Sequence, residues 1–120
     1  LDHFARFQEN TGIPVVIFQH TTLFYLNLFH PFAVVYEQIE RAARERGLRV
    51  IQSFDGFRGE DAYSIWVAQH DFHPNQRGHA ILAAELARGL SAFGIRPGRW
   101  PEIGRADRPE KSKGTGEARG

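Results

Sequence analysis

The run Pro14-Val15-Val16-Ile17-Phe18 decides the fold class of this chain. Its unbroken apolar character predicts a short strand covered on both faces, as in a parallel sheet. Upstream, residues 1 to 11 read as the end of a helix, with Leu1, Phe4 and Ala5 on one face and Gly12 as its stop. Downstream, residues 19 to 30 form a polar-aromatic connection. A second helix then follows, with Pro31 at a favourable first position and Phe32, Val35, Tyr36, Ile39 and Ala43 at helical spacing. Arg44 and Arg46 suit its C-terminal dipole, Gly47 ends it, and Leu48 to Phe54 reads as a second strand. A strand, a helix and a strand with a crossover of this length make a right-handed βαβ unit. The expected class is therefore α/β.

The remainder of the chain extends this pattern. Residues 55 to 62 form a Gly- and charge-rich loop, and Tyr63 to Val67 a short extended segment. A last helix runs from about Asn75 to Phe93, burying Leu82, Leu86, Leu90 and Phe93 and stopping at Gly94. Residues 95 to 120 are rich in Arg, Lys, Glu, Gly and Pro, with only Ile95, Trp100 and Ile103 as large apolar groups, and are expected to be a disordered tail. One domain, residues 1 to 94, is expected before it. Two parallel strands leave two open edges, which native folds rarely leave uncovered. Other strands from a missing N-terminal half of the domain, or a partner chain, are expected to cover them. The chain contains no Met and starts at Leu1, already inside an amphipathic pattern, which predicts that it begins partway through a larger protein.

Composition narrows the function classes. A net charge of +1, with no stripe of basic residues, gives no reason to expect nucleic acid as a partner. The absence of Cys removes disulfides, thiolate metal sites and Cys nucleophiles together. The most apolar window, Leu23 to Val35, is interrupted by Asn27, His30 and Pro31, so no membrane span is expected.

The chemistry is concentrated in His-Asp-Phe-His-Pro-Asn-Gln-Arg-Gly-His, residues His70 to His79. Asn75 is a good N-cap, Pro74 rigidifies the approach to the helix, and Gly78 allows close packing. His73 lies just before the helix, where the C-terminal edge of a parallel sheet gathers catalytic groups. With Asp71 two residues away, it has the form of a general base and its orienting carboxylate.

The longer segment Asp71 to Leu86, D-F-H-P-N-Q-R-G-H-A-I-L-A-A-E-L, resembles the C-terminal motif of the SGNH (GDSL-like) hydrolases, a family of esterases, lipases and acyl-modifying enzymes. The preceding order of helix, "G-I-P-V-V-I-F" strand, long loop, helix and "G-L-R-V-I-Q" strand agrees, so the resemblance covers roughly residues 1 to 93. It implies a three-layer α/β/α sandwich with a parallel sheet, of which this chain is the C-terminal part. It also implies His73 as catalytic base, Asp71 as its acidic partner, no cofactor, and a small-molecule ester or acetylated carbohydrate as substrate. In the commonest form of the motif the Asp lies three residues before the His; here that position is His70. The family's Gly-Asp-Ser nucleophile block and oxyanion-hole residues are expected upstream of residue 1. None of Ser53, Ser64, Ser91 and Ser112 sits in such a context, so the chain alone is expected to be inactive.

Other readings compete. His70, His73 and His79 with Asp71 could ligate a metal, although His79 falls inside the helix. Leu23, Phe24, Tyr25, Leu26, Leu28 and Phe29 are expected to be core, or alternatively the lining of an acyl or leaving-group pocket. His20 and His30 read as polar loop residues, and Asp55 as a loop-capping acid or a substitute partner for His73. The alternative to a hydrolase is a non-catalytic remnant or interaction module that keeps the half-fold without its nucleophile.

Overall fold

A computed structural model describes residues 1–27 and 29–101. It is a mixed α/β arrangement in the order α1 (Asp2–Thr11), β1 (Val16–Gln19), α2 (Ala33–Arg44), β2 (Arg49–Gln52), α3 (Phe54–Phe57), α4 (Ala62–Ile65), β3 (Trp66–Ala68), β4 (Asp71–Pro74) and α5 (Gln76–Ala92). The βαβ unit is present: β1 and β2 pair in parallel, with Val16 opposite Arg49 and Gln19 opposite Gln52.

Helices lie against both faces of this pair. On one face Ala5 of α1 and Ala43 of α2 cluster with Leu48 and Val50, joined by half-buried Val15 and Ile17. On the other, α5 approaches so closely that a Cβ on Gly89 would fall 2.5 Å from Ile51 Cγ1. Phe18 points to that side and packs with the larger cluster of Leu23, Leu26, Phe57, Ile65, Trp66 and Leu82. Side chains alternate between the two faces because the pleat has a period of two.

Several sequence expectations need correction. The Val15 to Phe18 run is only half-buried, because β2 is its sole strand neighbour among the described residues and its outer edge carries no second strand. Among the described residues just two strands run parallel; the others form a separate antiparallel pair, β3 with β4. The expected strand from Leu48 to Phe54 ends at Gln52, since Ser53 turns the chain into α3. The segments expected as a loop (55 to 62) and an extended stretch (Tyr63 to Val67) instead hold two short helices, followed by β3 from Trp66. In α1 only Ala5 of the expected apolar face is buried; Leu1 and Phe4 are exposed. In α5 Leu82 is buried, while Leu86, Leu90 and Phe93 are half-buried.

The stops were legible. Gly12, Gly47 and Gly94 all adopt φ near +70°, where a side chain is disfavoured. Of the segment expected to be a tail, Arg96 to Arg99 close a turn through two backbone hydrogen bonds of 2.8 and 2.9 Å. The rest of that segment, 102 to 120, lies outside the described residues, as does Leu28. Among the described residues no helix is long and apolar enough to cross a membrane.

Candidate functional site

The site is built on the junction between the β3–β4 hairpin and α5. Asn75 does the joining with one side chain. Its Oδ1 accepts the Gly78 N–H at 3.1 Å, which caps α5. Its Nδ2 donates to the Ser64 and Trp66 carbonyls at 3.0 and 3.1 Å, tying that cap to α4 and β3. Its own N–H donates to the Ile65 carbonyl at 2.8 Å. The first turn of α5 then lies flat against this structure. A Cβ on Gly78 would sit 2.8 Å from Pro74 Cβ, closer than real Cβ atoms approach, and a tight 3.1 Å from the Ile65 carbonyl oxygen, so a side chain here requires a shift.

That frame presents β4, and β4 presents Asp71 and His73. Two positions apart on a strand, their side chains leave from the same face. Asp71 Oδ1 lies 2.5 Å from His73 Nδ1 and also accepts the His73 backbone N–H at 3.1 Å. Both bonds stabilise the ionised carboxylate, the imidazole contact more than the backbone one, and hold the Asp71 carboxyl below its usual range. The pairing makes Nδ1 the protonated nitrogen of the neutral ring and leaves Nε2 free as a base. The His73 side chain is 86 % exposed, so that nitrogen is open to a reactant. The sequence set His73 at the C-terminal edge of a parallel sheet; it stands instead on a strand of the separate antiparallel hairpin, which fixes the side-chain directions.

A depression of about 350 Å³ adjoins the pair, lined by His20, Thr22, Leu23, Phe24, His70, Asp71, Phe72, His73 and Pro74. Its far wall comes from the connection after β1. The buried Trp66 indole N–H donates to the Leu23 carbonyl at 2.5 Å, which fastens that connection to the hairpin. Phe24 and Phe72 then meet edge to face with centroids 6.0 Å apart, and Phe72 meets Trp66 in the same way at 4.7 Å. Of the aromatic connection, Leu23 and Leu26 are core, Phe24 lines the depression, and Tyr25 and Phe29 are exposed.

The remaining candidates separate cleanly. His70 sits in the β3–β4 turn at the rim of the depression; His79 is exposed on α5 and takes no part in it. No group of three or more His, Asp or Glu side chains suited to a metal occurs among the described residues. Asp55 pairs with Arg58 at 2.8 Å rather than with His73. Ser53 is fully buried, its hydroxyl donating to the Gln19 carbonyl and accepting the Thr21 N–H. The Ser64 hydroxyl donates to the Asp61 carbonyl at 2.7 Å, and Ser91 lies exposed on α5. Ser112 lies outside the described residues.

Sequence reasoning missed two participants. His20 joins the same depression as His73, and its only signal was its place just past the end of β1. His30, taken as a loop residue, is buried at 4 % exposure. Its Nδ1 accepts the Phe32 N–H at 3.2 Å and its Nε2 lies 3.1 Å from both the Thr22 hydroxyl and the Thr22 carbonyl. The Tyr36 hydroxyl completes the group, accepting the Thr22 N–H at 2.8 Å. This network braces the connection that carries Phe24.

No family model matches the chain, and no curated protein or solved structure matches it.

Proposed function

We propose that this chain is the C-terminal part of an SGNH-type serine hydrolase acting on an ester or acetylated substrate. In this reading His73 is the general base and Asp71 its orienting acid. The observation that carries it is the Asp71–His73 pair: a short bond to Nδ1, a free and accessible Nε2, and a rigid strand-to-helix support. A base of this kind takes the proton of an attacking hydroxyl and later returns it to the leaving group. The carboxylate keeps the productive tautomer and stabilises the imidazolium that forms. The parallel β1–β2 pair with helices on both faces suits membership of a three-layer α/β/α sandwich.

The nucleophilic serine and the oxyanion donors belong, in this proposal, to a segment outside residues 1 to 120 or to a partner chain. None of Ser53, Ser64 and Ser91 is both free and paired with the base. The exposed Leu1, Phe4, Phe7 and Ile13, with the edge of β1 that no strand pairs among the described residues, offer the surface such a segment would cover. A substrate is a small-molecule ester or acetylated carbohydrate, and no cofactor enters the chemistry.

The test is hydrolysis of p-nitrophenyl acetate by the protein that supplies the nucleophile. His73→Ala is expected to lower kcat by about 10^4-fold or more with the fold intact. Unchanged turnover in that variant would reject His73 as the base.

A further inference from the structure

We propose that the depression beside His73 receives the alcohol portion of the ester, and that it selects a flat, apolar ring over a polyol. The inference rests on the hydrolase reading above for its direction and on the lining residues for its chemistry.

The direction follows from the proton. His73 Nε2 takes the proton of the serine hydroxyl as the serine oxygen bonds to the ester carbonyl carbon. The same proton then passes to the ester's alkoxy oxygen as the carbon–oxygen bond breaks, and a neutral alcohol leaves. The departing oxygen must therefore lie within hydrogen-bond reach of His73, about 3 Å. The group attached to that oxygen falls into whatever space adjoins the imidazole, and that space is the depression bounded by Phe24, Phe72 and Pro74.

The chemistry follows from which polar groups are already committed. Thr22 looks like a hydroxyl for a sugar, but its Oγ1 lies 3.1 Å from His30 Nε2 and 3.1 Å from the Tyr36 hydroxyl. Asp71 Oδ1 is taken by the His73 ring and backbone N–H. What remains polar is its second oxygen and the pair of exposed imidazoles, His20 and His70. A polyol seated here would exchange part of its water for the apolar lining of Leu23, Phe24, Phe72 and Pro74, with three polar side chains to pair its many hydroxyls, which is unfavourable. An aromatic or other flat apolar ring loses nothing and packs against Phe24 and Phe72. The Phe24 wall is held at some cost: Tyr25, next in sequence, takes φ of 53°, a left-handed conformation uncommon for an aromatic residue.

Binding of the leaving-group analogue tests this without any turnover. The whole chain is titrated with benzyl alcohol and, separately, with methyl glucoside, and followed by ¹H–¹⁵N NMR. Benzyl alcohol is expected to shift the Phe24, Phe72 and His73 amides saturably at millimolar concentration, with contacts from its ring protons to Phe24 and Phe72. Methyl glucoside is expected to leave them unmoved. Phe72→Ala is expected to weaken benzyl alcohol binding about tenfold, and the ring-proton contacts in the unsubstituted protein decide the matter if that variant unfolds. Saturable glucoside binding at these residues, or benzyl alcohol shifts that map elsewhere, would overturn the proposal. The two readings fail separately. Benzyl alcohol bound here, with ester turnover untouched by His73→Ala, keeps the pocket and rejects the hydrolase; the reverse result rejects only the pocket.

Discussion

The hairpin side of the molecule and the α1–α2 side are built to different standards. Around α5, α4 and the hairpin, large side chains are sealed: Phe57 and Ile65 are wholly buried and Leu23 nearly so. Polar staples run between elements there, from Trp66 to the Leu23 carbonyl and from Asn75 to α4, β3 and α5. On the other side the buried cluster is small, made of Ala5, Ala43, Leu48 and Val50, and large apolar groups face outward on both helices: Phe4 and Phe7 on α1, Val34, Val35 and Ile39 on α2. Among the described residues the buried Gln19 side chain, at the end of β1, has no hydrogen-bond partner for either its amide nitrogen or its oxygen. The half that carries the acid–base pair holds the large sealed side chains, although Tyr63, Val67 and Phe72 are exposed on its surface. The half that carries the parallel pair buries only small and mid-sized groups.

This contrast can be broken by substitution, with stability read as the denaturant midpoint at constant slope. Ile65→Ala removes a fully buried side chain from the sealed side and is expected to cost about 2–5 kcal/mol. Gly78→Ala forces a methyl group against Pro74 and the Ile65 carbonyl, and about 1–3 kcal/mol is expected. Asn75→Ala loses the cap and leaves two carbonyls without their donor; about 1–2 kcal/mol is expected, with the amides of β3 moving in NMR spectra. Phe7→Ser on the open side is expected to change stability by less than about 0.5 kcal/mol. If Phe7→Ser costs as much as Ile65→Ala, the two sides do not differ as described.

The smallest effect expected is one of pH. The Asp71 carboxyl titrates below its unperturbed value because the His73 imidazole, and then the His73 backbone N–H, bond its ionised form. A lowered folded value means that this pairing contributes fully above the ordinary carboxylate range and is lost as pH falls through the lower folded value. A ¹³C titration of the Asp71 carboxyl is expected to place its midpoint below 3.8. In Asp71→Asn the His73 ring loses the partner that selects its tautomer, and the ring nitrogen shifts are expected to report a mixed population. A midpoint at or above the ordinary value would deny the pair its electrostatic coupling.

Much of the site was legible because its parts are neighbours in the chain. Asp71 and His73 are two residues apart, so strand geometry alone brings them together once the segment is extended. The Asn75 cap and the close approach at Gly78 are likewise confined to one helical turn. The parallel βαβ unit could be read from its apolar runs and its glycine stops. The hairpin was harder. Trp66 to Ala68 is short, and what makes it a strand is its pairing with Asp71 to Pro74 rather than any pattern of its own.

The sequence by itself determined the three longer helices with their glycine stops, the parallel pair and the acid–base candidate, all of which depend on contacts along the chain or on simple periodicity. Only the tertiary structure decided which residues surround that candidate. Leu23 and Trp66 are 43 positions apart, yet their hydrogen bond brings His20, Thr22 and Phe24 against His70 and Phe72. It was also the tertiary structure that buried His30 with Thr22 and Tyr36 and left Phe4 and Phe7 outside. Periodicity states which residues share a face of an element; it cannot state whether another element arrives to cover that face.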